Sequence, residues 1–256
     1  MRIALLSDIH GNPIALDAAL ADIQAQGEVD AYWVLGDLVA LGYDPAGVLE
    51  RLTALPNVRF VRGNTDRYVA TGDRPLPTRE QALADAALLD RLIDVAHTFA
   101  WTLGHVTATG WLSWLADLPL EQRLTLPDGT RLLGVHAAPG TDDGSGVRPT
   151  LGDAELAALV ASSEADLVCV GHTHWPLDRT AGDVRVVNLG SISNPLAPDL
   201  RASYALLEAD TSGYHLELRR VEYDRQAVIE ALERVRHPGA GFIIPHFLGQ
   251  RRPPWQ

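Results

Sequence analysis

The sequence predicts an α/β fold built on a mostly parallel sheet covered on both faces. Three observations predict it. Short runs of β-branched and aliphatic residues end abruptly in polar residues at six places along the chain. Amphipathic stretches at helical spacing separate several of those runs. Cap and turn residues stand where such helices should begin.

The first run, Ile3–Leu6, stops at Ser7 and Asp8. Tyr32–Leu35 stops at Gly36 and Asp37, and Val58–Val61 at Arg62, Gly63 and Asn64. Later, Leu132–Val135 ends at His136, Leu167–Val170 at Gly171 and His172, and Val184–Val187 at Asn188. Unbroken apolar runs of this length read as strands buried on both faces. Leu16, Ala19, Leu20 and Ile23 share one helical face. Val48, Leu49, Leu52 and Leu55 share another, entered through Asp44 as cap and Pro45 at the first helical position. Thr150 to Asp153 reads as a helix-start box ahead of Leu156, Leu159 and Val160.

Two segments break the alternation. Residues 75–120 carry helical periodicity and no strand pattern; Thr78 and Gln81 form a capping box, and Trp111, Trp114, Leu115 and Leu118 make an apolar face. Beyond Arg201, Tyr204–Glu208 and Tyr214–Val221 flank a turn at Asp210 to Gly213 and read as a hairpin. A helix from about Asp224 then carries Val228, Ile229, Leu232 and Val235. The tail, 237–256, is rich in glycine and proline yet holds Phe242, Ile243, Ile244 and Phe247. It is expected to dock on this chain or to join copies into a homo-oligomer. The chain reads as a single domain over 1–256 with a helical insert and a C-terminal tail.

Composition narrows the function classes. At 256 residues, 46% hydrophobic and 21% charged, the chain can bury a large core. No apolar run approaches the ~20 residues of a membrane span. The apolar start, Met1–Leu6, ends at Ser7 and Asp8 without a small-residue cleavage site, against an export signal. The lone Cys169 precludes an internal disulfide and suits the cytoplasm. A net charge of −12 with no basic stripe argues against an extended nucleic-acid surface.

Past the carboxyl ends of parallel strands lies the ligand crevice of such a sheet. Asp8, His10, Asp37, Asn64, His136, His172 and His174 all follow apolar runs, so this rule gathers them. Singly, each is ordinary: Asp8 and Asp37 suit turns, and His136 suits a core. Gly171-His172-Thr173-His174 is more specific, since two imidazoles flank one residue after a strand and glycine permits a tight bend. The set mixes nitrogen and oxygen donors, which suits Mn, Fe, Ni or Zn over Ca or Mg. It exceeds what one tetrahedral ion needs, whereas two divalent transition-metal ions sharing a carboxylate would use it all.

These motifs, in this order, resemble the calcineurin-like metallophosphoesterase superfamily, and Asn188 to Ser191 with Arg201 to Tyr204 resemble its small bacterial phosphodiesterase-type branch. The likeness covers about 1–75 and 130–222. It implies a four-layer α-β-β-α sandwich with two mixed sheets. It places Asp8, His10 and His174 on the first metal, Asn64, His136 and His172 on the second, and Asp37 between them. Many members carry a histidine after the asparagine, taken to assist the leaving group; this chain has Thr65 there and keeps Asp66. His97 and His105 are candidates to replace it. Asn64 and Asp66 stand as catalytic candidates, and Arg201, Asn188 and Ser191 as substrate-binding ones.

The expected activity is hydrolysis of a phosphodiester or activated phosphomonoester, of small phosphate-ester or nucleotide size, by a hydroxide bridging two ions about 3.5–4 Å apart. The alternative is a non-catalytic metal-binding scaffold of the same fold, as in the retromer subunit that resembles the superfamily.

Overall fold

In the computed structural model, which describes every residue except Ala197, Pro254 and Gln256, all six apolar runs are strands. They belong to two sheets instead of one. In the first, β1 (Arg2–Leu6), β2 (Ala31–Leu35) and β3 (Val58–Val61) run parallel. The hairpin of β9 (Ala202–Asp210) and β10 (Gly213–Val221) adds antiparallel to β1, giving the order β10-β9-β1-β2-β3. In the second, β5 (Arg131–Val135), β6 (Leu167–Val170) and β8 (Val184–Asn188) run parallel. Antiparallel strands β4 (Glu121–Thr125) and β7 (Leu177–Ala181) close its edges, in the order β4-β5-β6-β8-β7.

Alternation along the strands separates three apolar interfaces. Ile3 and Leu5 of β1, Trp33 and Leu35 of β2, Leu132 of β5 and Leu167 of β6 lie in one buried cluster, the seam between the sheets. Ala4, Leu6 and Val34 face the other way, onto α1 (Pro13–Ala25), α2 (Pro45–Thr53), α5 (Leu89–Ala108) and α8 (Arg225–Arg234). Leu133, Val135, Val168 and Val170 pack against α7 (Asp153–Val160). The result is the α-β-β-α sandwich that the resemblance implied. A strand between another sheet and a helix layer is buried on both faces, which is why its sequence is continuously apolar.

The departures from expectation have local causes. β4 and β7 have no apolar run, because an edge strand pairs on one side only and half its residues face water. Asn12 and Asp44 cap α1 and α2, each with proline next. The α7 cap is Gly152, whose N–H donates to Glu155, and not Thr150. The insert is helical as expected: Thr78 and Gln81 cap α4 (Arg79–Ala84), α5 follows, and α6 (Leu112–Ala116) turns Leu115 inward. The tail forms α9 (Ala240–Phe247) and docks on its own chain, with Ile243 1% and Phe247 2% exposed. Ile243 and Phe247 are thereby engaged within the chain itself. Among the described residues no helix is long and apolar enough to cross a membrane.

Cys169 lies in the seam between the sheets, fully buried, and burial pushes its thiol up to about 12. A thiol reagent should therefore leave the native protein unmodified and label one equivalent in denaturant; rapid native labelling would mean the seam opens.

Candidate metal centre

Each candidate follows a strand end. Asp8 and His10 come after β1, Asp37 after β2, His136 after β5, and His172 and His174 after β6; Asn64 opens α3 (Asn64–Thr71) just past β3. The ladders continue into these loops, with Asp8 N donating to Gly36 O at 3.0 Å and Gly171 N to His136 O at 2.9 Å. Between the sheets the approach is close: a Cβ at Gly171 would stand 1.9 Å from Ser7 Oγ and 2.3 Å from Asp8 Oδ2, so only glycine fits. Asp8, His10, Asp37, His172 and His174 all sit in the left-handed region, with φ between 50° and 68°. Non-glycine residues held there cost roughly 1–3 kcal/mol each and mark functional sites.

The four imidazoles share one arrangement. His10 Nδ1 lies 3.0 Å from Ala40 O, His136 Nδ1 2.7 Å from Leu35 O, His174 Nδ1 2.7 Å from Asn194 O, and His172 Nε2 2.9 Å from Gly144 O. A carbonyl only accepts, so each outer nitrogen carries its proton and each inner nitrogen is left to the interior.

The inner atoms form two groups. His10 Nε2 and His174 Nε2 are 3.1 Å apart, and Asp8 Oδ1 is 3.2 Å from the latter. The ligand atoms of Asp8, His10, Asp37 and His174 all lie within 4.8 Å of one another. In the second group Asn64 Oδ1 is 3.1 Å from His136 Nε2 and 3.0 Å from His172 Nδ1. Asp37 turns one oxygen to each group, Oδ2 3.7 Å from His10 Nε2 and Oδ1 3.4 Å from His136 Nε2.

The donor set fits a cation in each group. Burial pulls the His174 imidazole down, but the Asp8 carboxylate overrides it and raises it, so positive charge is favoured in the 3.1 Å gap between His10 Nε2 and His174 Nε2. Asp8 Oδ1 is buried without a hydrogen-bond partner. Burial pulls the His136 imidazole down, but the Asp37 carboxylate overrides it and lifts His136 to about 10. That proton stands where a metal cation would. Burial instead drives His10 down to about 4, keeping it a neutral donor.

Other candidates hold the frame. Asp66, expected to be catalytic, accepts backbone N–H bonds from Asp37, Leu38 and Gly63, each at 2.9 Å, and so positions the loop that carries Asp37. Burial beside the Asp37 carboxylate pushes Asp66 up to about 7. Asn188 and Ser191, expected to bind substrate, engage the backbone in the same way. Asn188 Nδ2 donates to Gly171 O at 2.7 Å and Val147 O at 3.1 Å, and Ser191 Oγ to Asp8 O at 2.9 Å. Both are 2% exposed or less, with their polar atoms engaged by the protein.

Arg201 lines a cavity of about 420 Å³ with His174 and Trp175, but its guanidinium is held by Asp199 at 2.8 Å. His97 is exposed on α5, and His105 lies against Trp101. The insert does reach the site elsewhere: Val95 and Phe99 of α5, with Phe242 of α9, wall a 170 Å³ cavity beside Asn64 and Thr65. The tail also brings His246 to 6.5 Å from the His174 ring, which no sequence motif signalled. Burial holds its imidazole neutral, down to about 3.

Replacing Asp66 with alanine should cost about 3 kcal/mol or more, since three buried N–H groups lose their acceptor. Denaturant unfolding reads this directly, and an unchanged midpoint would remove Asp66 from the frame.

Residues 1–212 match the calcineurin-like phosphoesterase superfamily domain. An uncharacterised protein of Methanocaldococcus jannaschii is 28% identical over 97% of this chain and 96% of its own length. Phosphodiesterase YfcE of Escherichia coli is 29% identical over 82% of this chain and 89% of its own. The crystal structure of a hypothetical protein from Pyrococcus horikoshii superposes with a TM-score of 0.80 at 25% identity, covering 98% of this chain and 99% of that one. With the domain match spanning most of its length, the chain belongs to the calcineurin-like phosphoesterase superfamily.

Proposed function

We propose that the protein is a dinuclear metal-dependent phosphoesterase acting on phosphodiesters or activated phosphomonoesters. The observation that carries this reading is Asp37, which faces two groups of inward-pointing donors at once. Asp8, His10 and His174 would hold one ion, Asn64, His136 and His172 the other, with Asp37 shared. The nitrogen and oxygen donors suit Mn, Fe, Ni or Zn. When bound, two such ions supply Lewis acidity toward a phosphoryl oxygen and a water activated near neutral pH.

The chain's own residues set the rest. The outer carbonyls fix each ring so that no reorganisation is needed when charge develops. Asn64, first in α3, offers its carboxamide where the helix N-terminus favours anions, so it is placed to touch a phosphate. At Thr65 a hydroxyl replaces the family's histidine, and a threonine hydroxyl does not donate a proton near neutral pH. His246, the other imidazole beside the cluster, is held neutral. Leaving groups that depart unprotonated are therefore favoured, which points to activated diesters. The phosphodiesterase activity in the name of the Escherichia coli relative supports the same class. The whole chain, 1–256, acts as one domain in this reading, on a small phosphate ester or nucleotide. The lone buried Cys169 suits a cytoplasmic setting.

Asp37→Asn should lose at least about a thousandfold in hydrolysis of an aryl phosphodiester and bind less than two equivalents of manganese by elemental analysis. Unchanged turnover, or a wild type without metal, rejects the dinuclear reading. Across a series of aryl diesters the rate should fall steeply as leaving-group pKa rises; a flat series would reveal a proton donor.

Metal binding should also be linked to pH, because the second ion must displace the proton on His136. Below the folded value of about 10 affinity should rise with pH, by roughly tenfold per unit for one proton displaced. Calorimetry in buffers of different ionisation enthalpy reads the released proton directly, and release of none would contradict the charge state assigned to His136.

A further inference from the structure

The loop between β5 and α7 crosses the face of His172. Gly144 O accepts from His172 Nε2 at 2.9 Å. Gly146, at φ +57°, lies so close that a Cβ there would stand 2.8 Å from His172 Cδ2 and from Thr173 Cγ2. Val147 O accepts from Asn188 Nδ2 at 3.1 Å and from Thr173 Oγ1 at 3.0 Å. Arg148 comes next. Its backbone is thus set by the same motif that presents His172 and His174, and Asn188 serves the site by holding this loop.

Arg148 lines a cavity of about 300 Å³ whose wall includes His172, His174, Leu196 and Trp255. It differs from the other arginines of this region. Arg62 and Arg67 both bond Asp142, and Arg201 and Arg220 both bond Asp199. Arg148 has no ion pair among the described residues, and its Nε is buried without a hydrogen-bond partner. With no carboxylate partner, the guanidinium keeps N–H donors for an oxyanion in the cavity that Arg148 lines.

We propose that Arg148 is the phosphate anchor of the site: its guanidinium grips the non-bridging oxygens of a phosphate group lying in this cavity against His172 and His174. A planar fork of N–H donors matches two phosphate oxygens at once, which a lysine or a carboxylate-paired arginine cannot do. The anchor rests on the phosphoesterase reading of the metal centre. It assigns to Arg148 the role for which Arg201 was the sequence candidate. Substrate phosphate and free orthophosphate present the same oxygens, so inorganic phosphate is a sufficient probe.

The test titrates inorganic phosphate into manganese-loaded protein by calorimetry, for wild type, Arg148→Gln, Arg148→Lys and Arg201→Gln. Arg148→Gln should weaken binding roughly ten- to a hundredfold, the loss of a charge-assisted pair of bonds. Metal content and melting temperature should not change, and for a diester KM should rise more than kcat falls. Arg148→Lys should recover part of the affinity, and Arg201→Gln should shift it less than about twofold. Equal phosphate affinity in wild type and Arg148→Gln overturns the anchor and leaves the phosphoesterase reading standing. Loss of metal along with phosphate binding in Arg148→Gln shows a structural role and also overturns it. A wild type that neither binds phosphate nor cleaves esters overturns both.

Discussion

The site depends on four backbone carbonyls. Ala40, Leu35, Asn194 and Gly144 each accept the outer N–H of one histidine, and so each ring's remaining nitrogen is aimed at a common interior. Without these acceptors an imidazole would choose its tautomer by solvent, and half the inner nitrogens would carry protons toward one another. The carbonyls come from loops and a strand end, not from side chains. The orientation of the donors is thereby written into the backbone, which only the assembled fold can place.

That placement has an energetic cost that the rest of the chain offsets. Five of the candidate ligands lie in left-handed conformations, and Asp8, Asp37, His10 and His136 are brought together almost without solvent, with His172 and His174 half-buried beside them. The opposing term is the packing of three apolar interfaces, the central parallel strands being covered on both faces. The seam around Trp33, Leu35, Leu132 and Leu167 matters most for geometry, because it fixes one sheet against the other. A slip of one residue along a strand, about 3.3 Å, would carry Asp37 away from His136.

Around the donors lies a shell of polar residues whose work is positional. Asp66 gathers three backbone N–H groups from the loops of Asp37 and Gly63. Asn188 ties Gly171 to Val147, and Ser191 ties the last parallel strand to Asp8. The helical insert, the tail and the loop after β8 then supply walls, Phe99 and Phe242 beside Asn64 on one flank, Leu196 and Trp255 beside Arg148 on the other. The inner donor geometry is suited to phosphate esters in general; these outer elements are where this chain's own selectivity would arise.

Much of this was readable in the residues alone. Strands buried on both sides must be apolar throughout, so Ile3–Leu6 or Leu167–Val170 declared themselves, and the polar residues that stop them marked the crevice. Helix starts at Asp44 and Thr78 follow from local hydrogen bonding and were equally plain. The edge strands Glu121–Thr125 and Leu177–Ala181 were not, because a half-exposed strand keeps no run. Nor were the roles of Asp66, Asn188 and Ser191: a polar residue that bonds to distant backbone has the same sequence signature as one that touches substrate. The sequence by itself determined the elements and the donors, since both follow from local pattern and side-chain chemistry. Only the tertiary structure decided that two sheets face each other, that each ring is turned inward, and that Arg148 and His246 stand beside the cluster. Those facts depend on contacts between segments up to 183 residues apart, such as Ser191 to Asp8, and no local pattern encodes them.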